Sequence, residues 1–156
     1  MKVLQCISNN DQVHYFTLFA ELNAKAPQPL DLHFLFLSKT NPKLKNEILQ
    51  KSGGTVHWIK YDDRRKKKEF YPVYKQVKQF LKELLPDVVH TNLFEDGLMV
   101  QRAAKKVGIA KRIHTKQCTG FHWNYAKKAV RFDRMIDKWA TDLIAVSGEC
   151  KQFLID

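Results

Sequence analysis

Residues 30–38 read Leu-Asp-Leu-His-Phe-Leu-Phe-Leu-Ser, with Leu32, Phe34, Leu35, Phe36 and Leu37 almost continuous. A run that apolar and that short is the mark of a strand covered on both faces, as in a parallel sheet. It recurs in weaker form at Lys2–Ser8, Thr55–Ile59, Val88–His90, Lys111–Thr115 and Leu143–Val146. Between these runs the apolar residues switch to helical spacing. Helices are expected over Tyr15–Lys25, with Phe16, Leu18, Phe19 and Leu22 inward, over Asn41–Lys51 and over Tyr71–Leu85. Three more are expected over Glu95–Val107, within Phe121–Trp139 and over Gly148–Leu154. Pro27, Pro29 and Pro86 stop helices, and Gly108 stands where a helix C-cap prefers glycine. Strand and helix alternating through 156 residues predict a single domain: a doubly wound, Rossmann-like parallel α/β sheet.

Such sheets bind ligands at the carboxyl ends of their strands, beside the reversal in strand order. The residues placed there are Ser8-Asn9-Asn10, Asp62, His90-Thr91-Asn92, His114-Thr115-Lys116 and Ser147. The turn after the first strand, Ser8-Asn9-Asn10-Asp11-Gln12, has no glycine, so it is not a GxGxxG dinucleotide loop, and no phosphate-binding P-loop occurs either. Asp62-Asp63 is adjacent rather than spaced and does not make a DxD-type metal pair. His90 and His114 close successive strands, each followed by threonine. A neutral imidazole both donates and accepts hydrogen bonds, which suits sugar hydroxyls or a developing charge; the alternative at each position is a histidine bound into the core.

Composition narrows the partners. The chain carries 27 Lys and Arg against 16 Asp and Glu, a formal +11, with 44% hydrophobic residues. No apolar run approaches the roughly 20 residues of a membrane span. The apolar stretch at the N-terminus is too short for a secretory signal, so a cytoplasmic location is expected. Three cysteines far apart, with no CxxC, argue against a disulfide framework or a cysteine-only zinc site. Much of the charge lies in Arg64, Arg65, Lys66, Lys67 and Lys68, continued at helical spacing by Lys75, Lys78 and Lys82. This patch reads either as a solvated loop and helix face or as a docking surface for an anionic membrane. No nucleic-acid motif accompanies it, so nucleic acid is not the expected partner.

Four segments occur in a fixed order: Pro86-Asp87-Val88-Val89-His90-Thr91, the alanine-bearing helix Gly97–Lys106, Arg112-Ile113-His114-Thr115, and Asp133-Arg134-Met135-Ile136-Asp137-Lys138-Trp139-Ala140-Thr141-Asp142-Leu143-Ile144-Ala145-Val146-Ser147. Together they resemble the N-terminal domain of family-4 retaining glycosyltransferases, across essentially the whole chain. The resemblance implies one half of a GT-B fold, the half that binds a sugar or lipid-linked acceptor in polysaccharide or glycolipid assembly. A nucleotide-sugar would be co-substrate, with no metal or other cofactor, and would be held mostly by a C-terminal domain absent from this sequence. The isolated 156 residues are then expected to be an inactive part of a hexosyltransferase-type enzyme, and the docking reading of the basic patch adds a peripheral position on the inner membrane face.

Carried over residue by residue, the resemblance makes His114 the catalytic histidine set against the donor sugar, with Thr115 and Lys116 beside it. His90 matches a strand-end histidine with a structural or acceptor-side role, and Asn92 stands where a second polar residue or histidine is usual. Asn9, Asn10 and Gln12 occupy the place of the family's Gly-Gly-x-Glu loop. His14 also aligns, with a surface or helix-packing role as its alternative. The rival expectation is a stand-alone flavodoxin-like module that holds a polyanion through the basic patch.

Overall fold

A computed structural model of the chain describes residues 1–8, 14–41, 53–117, 124 and 126–155. Six strands form one parallel sheet: β1 (Lys2–Ile7), β2 (Asp31–Ser38), β3 (Thr55–Lys60), β4 (Val88–Thr91), β5 (Lys111–Lys116) and β6 (Asp142–Ala145). Their order is β3-β2-β1-β4-β5-β6, so the chain winds outward from β1 one way and from β4 the other. Each neighbouring pair is parallel, including β2 with β3, where Phe34 faces Val56 and Phe36 faces Trp58. The expected doubly wound, Rossmann-like α/β architecture is the one observed, and the switch point lies between β1 and β4.

The sheet is covered on both faces, which is why its central strands are apolar at nearly every position. On one face, Phe16 and Ala20 of α1 (His14–Ala24) pack against Val3, Ile7, Leu32, Phe34 and Phe36. The Phe16 ring lies 4.9 Å from Phe34 and 5.5 Å from Phe36, centroid to centroid. On the other face, Val73, Tyr74, Val77 and Leu81 of α2 (Lys66–Leu84) meet Leu4, Cys6, Leu35, Leu37 and Val89. Beside α2 on that face lie Met99 and Val100 of a π-helical turn (Gly97–Gln101), and Ala103 and Ala104 of α3 (Arg102–Val107). Next comes α4 (Val130–Trp139), and α5 (Gly148–Ile155) follows β6.

Three expectations need correcting. Leu18, Phe19 and Leu22 do not face inward: they are 54%, 39% and 57% exposed. The phase of α1 is set by Phe16 and Ala20 and by Asn23, whose side-chain amide donates to the Leu30 carbonyl (3.0 Å) and accepts from the Leu30 amide (2.7 Å). Residues 16, 20 and 23 share one stripe; Leu18 and Leu22 are turned away from it, and Phe19 lies at its edge, edge-on to the His90 ring.

The basic run is not a loop. Asp63–Arg65 is a 3-10 turn and α2 begins at Lys66, so Pro72 sits inside the helix rather than in its first turn. Two carboxylates offset the unfavourable cations at this helix start. Asp62 accepts from the Arg64 amide (3.1 Å), and Glu69 reaches back to accept from the Asp62 amide (2.8 Å).

Finally, α2 ends at Leu84, and Leu85, the expected last residue of the helix, adopts a left-handed φ of 48° and is 66% exposed. The helix expected over Asn41–Lys51 lies outside the described residues beyond Asn41, and the first part of Phe121–Trp139 does so at 121–123 and 125.

Candidate functional site at the carboxyl edge of β1, β4 and β5

Just beyond the carboxyl ends of the paired strands β1 and β4, a buried carboxylate ties the two segments together. Asp96, fully buried, accepts from the Ser8 hydroxyl (2.8 Å) and amide (3.2 Å), the Asn92 amide (2.7 Å) and the Leu93 amide (3.1 Å). Burial raises its pKa to about 6, against the lowering effect of those donors. Asn92 strengthens the joint by donating its side-chain amide to the Cys6 carbonyl (2.9 Å). Asp96 was not singled out in the sequence. The signal available was an acid three residues beyond a helix N-cap, a place from which a side chain reaches back to cap-region amides.

The two strand-end histidines share the carboxyl end of the sheet but not a face. Thr91 pairs with His114 across β4 and β5, and His90 pairs with Ile113, so alternation sends the rings to opposite sides. His90 lies on the α1 side, with Phe19 edge-on at 6.3 Å and its Nε2 2.6 Å from the Thr115 hydroxyl. His114 lies on the other side, its Nδ1 2.8 Å from the Thr91 hydroxyl. Each ring is thus held by the threonine that follows the other histidine. Both are buried, and burial lowers their pKa values, to about 4 for His90 and about 3 for His114, where Lys116 and His90 add to the effect. At neutral pH both imidazoles are uncharged hydrogen-bonding groups.

Gly97 covers the His114 ring. A Cβ at that position would lie 2.8 Å from His114 Cε1 and 3.2 Å from Ile136 Cδ1, so only glycine fits without displacement. Four residues on, Gln101 donates its side-chain amide to the Ile113 carbonyl (2.6 Å) and the Thr91 hydroxyl (2.8 Å). π-Helical turns are rare and concentrate at functional sites. Neither Gly97 nor Gln101 was legible as a site residue, because helical periodicity does not reveal a π turn.

The other sequence candidates are placed as follows. Lys116 points to α4, with Nζ 2.7 Å from Asp137. Asn9, Asn10 and Gln12 lie outside the described residues. In the basic patch Arg65 stands 3.7 Å from Glu69, Lys66 3.3 Å from Glu95, and Lys75 4.7 Å over the Tyr71 ring. Arg64, Lys67 and Lys68 are exposed and Lys78 is half-buried on the same 3-10 turn and helix. Tyr61, buried after β3, donates to Glu95 (3.1 Å) and links that patch to the rim of β4. The site is therefore a rim drawn from β1, β4 and β5, with His114 and Asp96 beneath it.

The model of the glycosyl transferase 4-like family matches residues 2–146. The chain belongs to that family. No curated protein matches it. Among solved structures it is similar to Anabaena HepE, whose crystal structure is a complex with UDP, with a TM-score of 0.71 at 12% identity. The alignment covers 99% of this chain and 40% of HepE, so the glycosyl transferase 4-like chain spans well under half of that protein's length. At this identity the likeness extends to the fold: a Rossmann-like sheet of the kind found in GT-B glycosyltransferases.

Proposed function

We propose that this chain is the acceptor-side half of a nucleotide-sugar-dependent, retaining glycosyltransferase acting on a sugar or lipid-linked acceptor in polysaccharide or glycolipid assembly. The observation that carries the reading is family membership over residues 2–146, on a sheet whose switch point holds a buried polar cluster rather than a plain apolar core. A UDP complex of the structurally similar HepE supports a nucleotide-sugar as the co-substrate. In this reading a C-terminal domain supplies most of the donor site, and no metal or further cofactor takes part. His114 faces the donor sugar as a neutral hydrogen-bonding group, and Ser8, His90 and Asn92 shape the floor of the acceptor side.

The test is release of nucleoside diphosphate from a panel of nucleotide-sugars by the complete protein and by the isolated 156 residues. The complete protein should turn over at least one donor in an acceptor-dependent way, and the isolated residues should not. Turnover by the isolated residues at an ordinary enzymatic rate would remove the two-domain reading.

The same reading places the enzyme peripherally on the cytoplasmic face of an anionic membrane. Its support is charge asymmetry across the sheet. Helices α2, α3 and α4, with the 3-10 turn Lys127–Ala129, carry fourteen Lys and Arg against four Asp and Glu. Fourteen less four is a net +10 on these elements. By contrast α1, on the opposite face, carries a single charge, Glu21. Along α4 a groove of about 490 Å³ is lined by Lys127, Arg131, Arg134 and Lys138 around Val130 and Met135, with no carboxylate in its lining. Cations flanking an apolar floor match anionic lipid better than the Arg64–Lys68 run does, since part of that run already faces Glu69 and Glu95. Among the described residues no helix is long and apolar enough to cross a membrane.

A further inference from the structure

We infer that Thr91 and Gln101 are positioning residues that fix His114 as its neutral Nε2–H tautomer, so that the ring offers a substrate oxygen a hydrogen-bond donor and cannot take a proton there. The role toward substrate rests on the glycosyltransferase reading above; the tautomer does not.

Counting protons along the network gives the assignment. The Ile113 carbonyl can only accept, and the nearest atom of the Gln101 amide is 2.6 Å away. That atom must be the NH2 nitrogen, because a carbonyl oxygen there would face another oxygen. The second proton of the same NH2 goes to the Thr91 oxygen at 2.8 Å. Thr91 then has one proton of its own and two acceptors within reach, His114 Nδ1 at 2.8 Å and the Ile113 carbonyl at 3.4 Å. The longer contact lies well outside the usual O–H···O range of about 2.5–3.0 Å, and the shorter one lies within it. The hydroxyl proton therefore goes to Nδ1. A neutral imidazole that accepts at Nδ1 carries its proton on Nε2.

Two further features mark this as a built arrangement. Gln101 Oε1 is buried without a hydrogen-bond partner among the described residues, an unfavourable state that the fold tolerates to keep the NH2 where it is. Gly97 leaves room for the ring, since a Cβ there would lie 2.8 Å from Cε1. The charged and titratable groups around the ring are Lys116 on its own strand, His90 on β4 and Asp137 on α4, the last already engaged by Lys116. Burial comes first among the influences that keep the imidazole uncharged. It follows that the proton lost by an attacking acceptor hydroxyl must leave to a group other than His114.

The experiment is long-range proton–nitrogen correlation NMR on the ¹⁵N-labelled chain at neutral pH, with His114→Gln to assign the signal. The wild type should show a protonated, pyrrole-type nitrogen at Nε2 and a pyridine-type nitrogen at Nδ1. Thr91→Val, similar in size but without the hydroxyl, should give a tautomer mixture, and Thr91→Ser should restore the wild-type pattern. A pyrrole-type Nδ1 in the wild type overturns the inference, even if Thr91→Val fails to fold. So does an unchanged pattern in a folded Thr91→Val. In the complete enzyme Thr91→Val should lower kcat at least tenfold with little change in donor KM, again restored by Thr91→Ser. Unchanged kcat alongside a shifted tautomer would overturn the donor role. Absence of any sugar transfer by the complete wild type would instead overturn the glycosyltransferase reading, with the spectrum still deciding the tautomer.

Discussion

His90 and His114 sit one rung apart on neighbouring strands and face opposite sides of the same sheet. Each ring is bonded to the threonine that follows the other, His90 to Thr115 at 2.6 Å and His114 to Thr91 at 2.8 Å. The two histidines therefore brace β4 against β5 from both faces, and only one of them shares a face with the π turn. Their roles separate accordingly.

In the complete enzyme His114→Ala should reduce turnover strongly. A lost hydrogen bond positioned in a transition state costs about 2.7–4 kcal/mol, or roughly 10²–10³ in kcat. Nucleoside diphosphate release by wild type and variant is the measurement. A variant within about threefold of wild type would make His114 a structural histidine.

Stability should fall as pH drops from about 6.5 toward 4. Both histidines have folded pKa values below 6.5, so the unfolded chain binds their protons first and acid favours unfolding. Asp96 works the other way: its pKa is raised from 3.8 to about 6, so it contributes stability at low pH that is lost as pH rises through that value. His57, lowered by burial, and Asp137, raised by it, shift in opposing directions, so the pair His90 and His114 outweighs Asp96 between about 4 and 6. Asp96→Asn should steepen the acid loss measured by denaturant midpoints across pH, and a flatter profile would contradict this assignment.

Gly97→Ala should destabilise by about 1–3 kcal/mol, the usual cost of overpacking, although alanine is the better helix former. The new methyl would stand 2.8 Å from His114 Cε1. Gly148→Ala, where the added carbon would meet nothing within 4 Å beyond its chain neighbours and its own helix backbone, should leave the melting temperature close to wild type. Similar melting temperatures for the two variants would mean that the π turn yields freely.

On α1 the exposed and buried apolar residues should behave differently. Phe16→Ala removes a fully buried ring and should cost about 3–5 kcal/mol. Leu22→Lys, at a position 57% exposed, should stay within about 0.5 kcal/mol. Chemical denaturation of both variants tests the phase of the helix, and a large loss for Leu22→Lys would reverse it.

Vesicles containing anionic lipid should bind the protein and release it as salt rises, because exposed charges are screened over a Debye length of about 10 Å at 0.1 M. The set Lys127→Gln, Arg131→Gln, Arg134→Gln and Lys138→Gln should weaken binding at least as much as glutamine at all of Arg64, Arg65, Lys66, Lys67 and Lys68. Near-surface basic residues are worth about 1 kcal/mol each. Equal binding to neutral vesicles would remove the membrane proposal.

The strands were legible because burial on both faces demands near-continuous apolar runs, and a run such as Phe34–Leu37 has few other uses. From alternating strands and helices the parallel, doubly wound sheet follows, and with it the edge where His90 and His114 lie. Helix phase was not legible in the same way. The apolar side chains of α1 outnumber its inward positions, and the packing of Phe16 and Ala20 with the anchoring of Asn23 on Leu30 marks which stripe is buried. Nor was the site's internal wiring. Asp96 bonds to Ser8 across 88 positions and Thr91 to His114 across 23, and such pairs exist only once strand register is set. Local pattern reports what each segment must bury; which polar groups then meet depends on distances between segments, and those belong to the folded sheet alone.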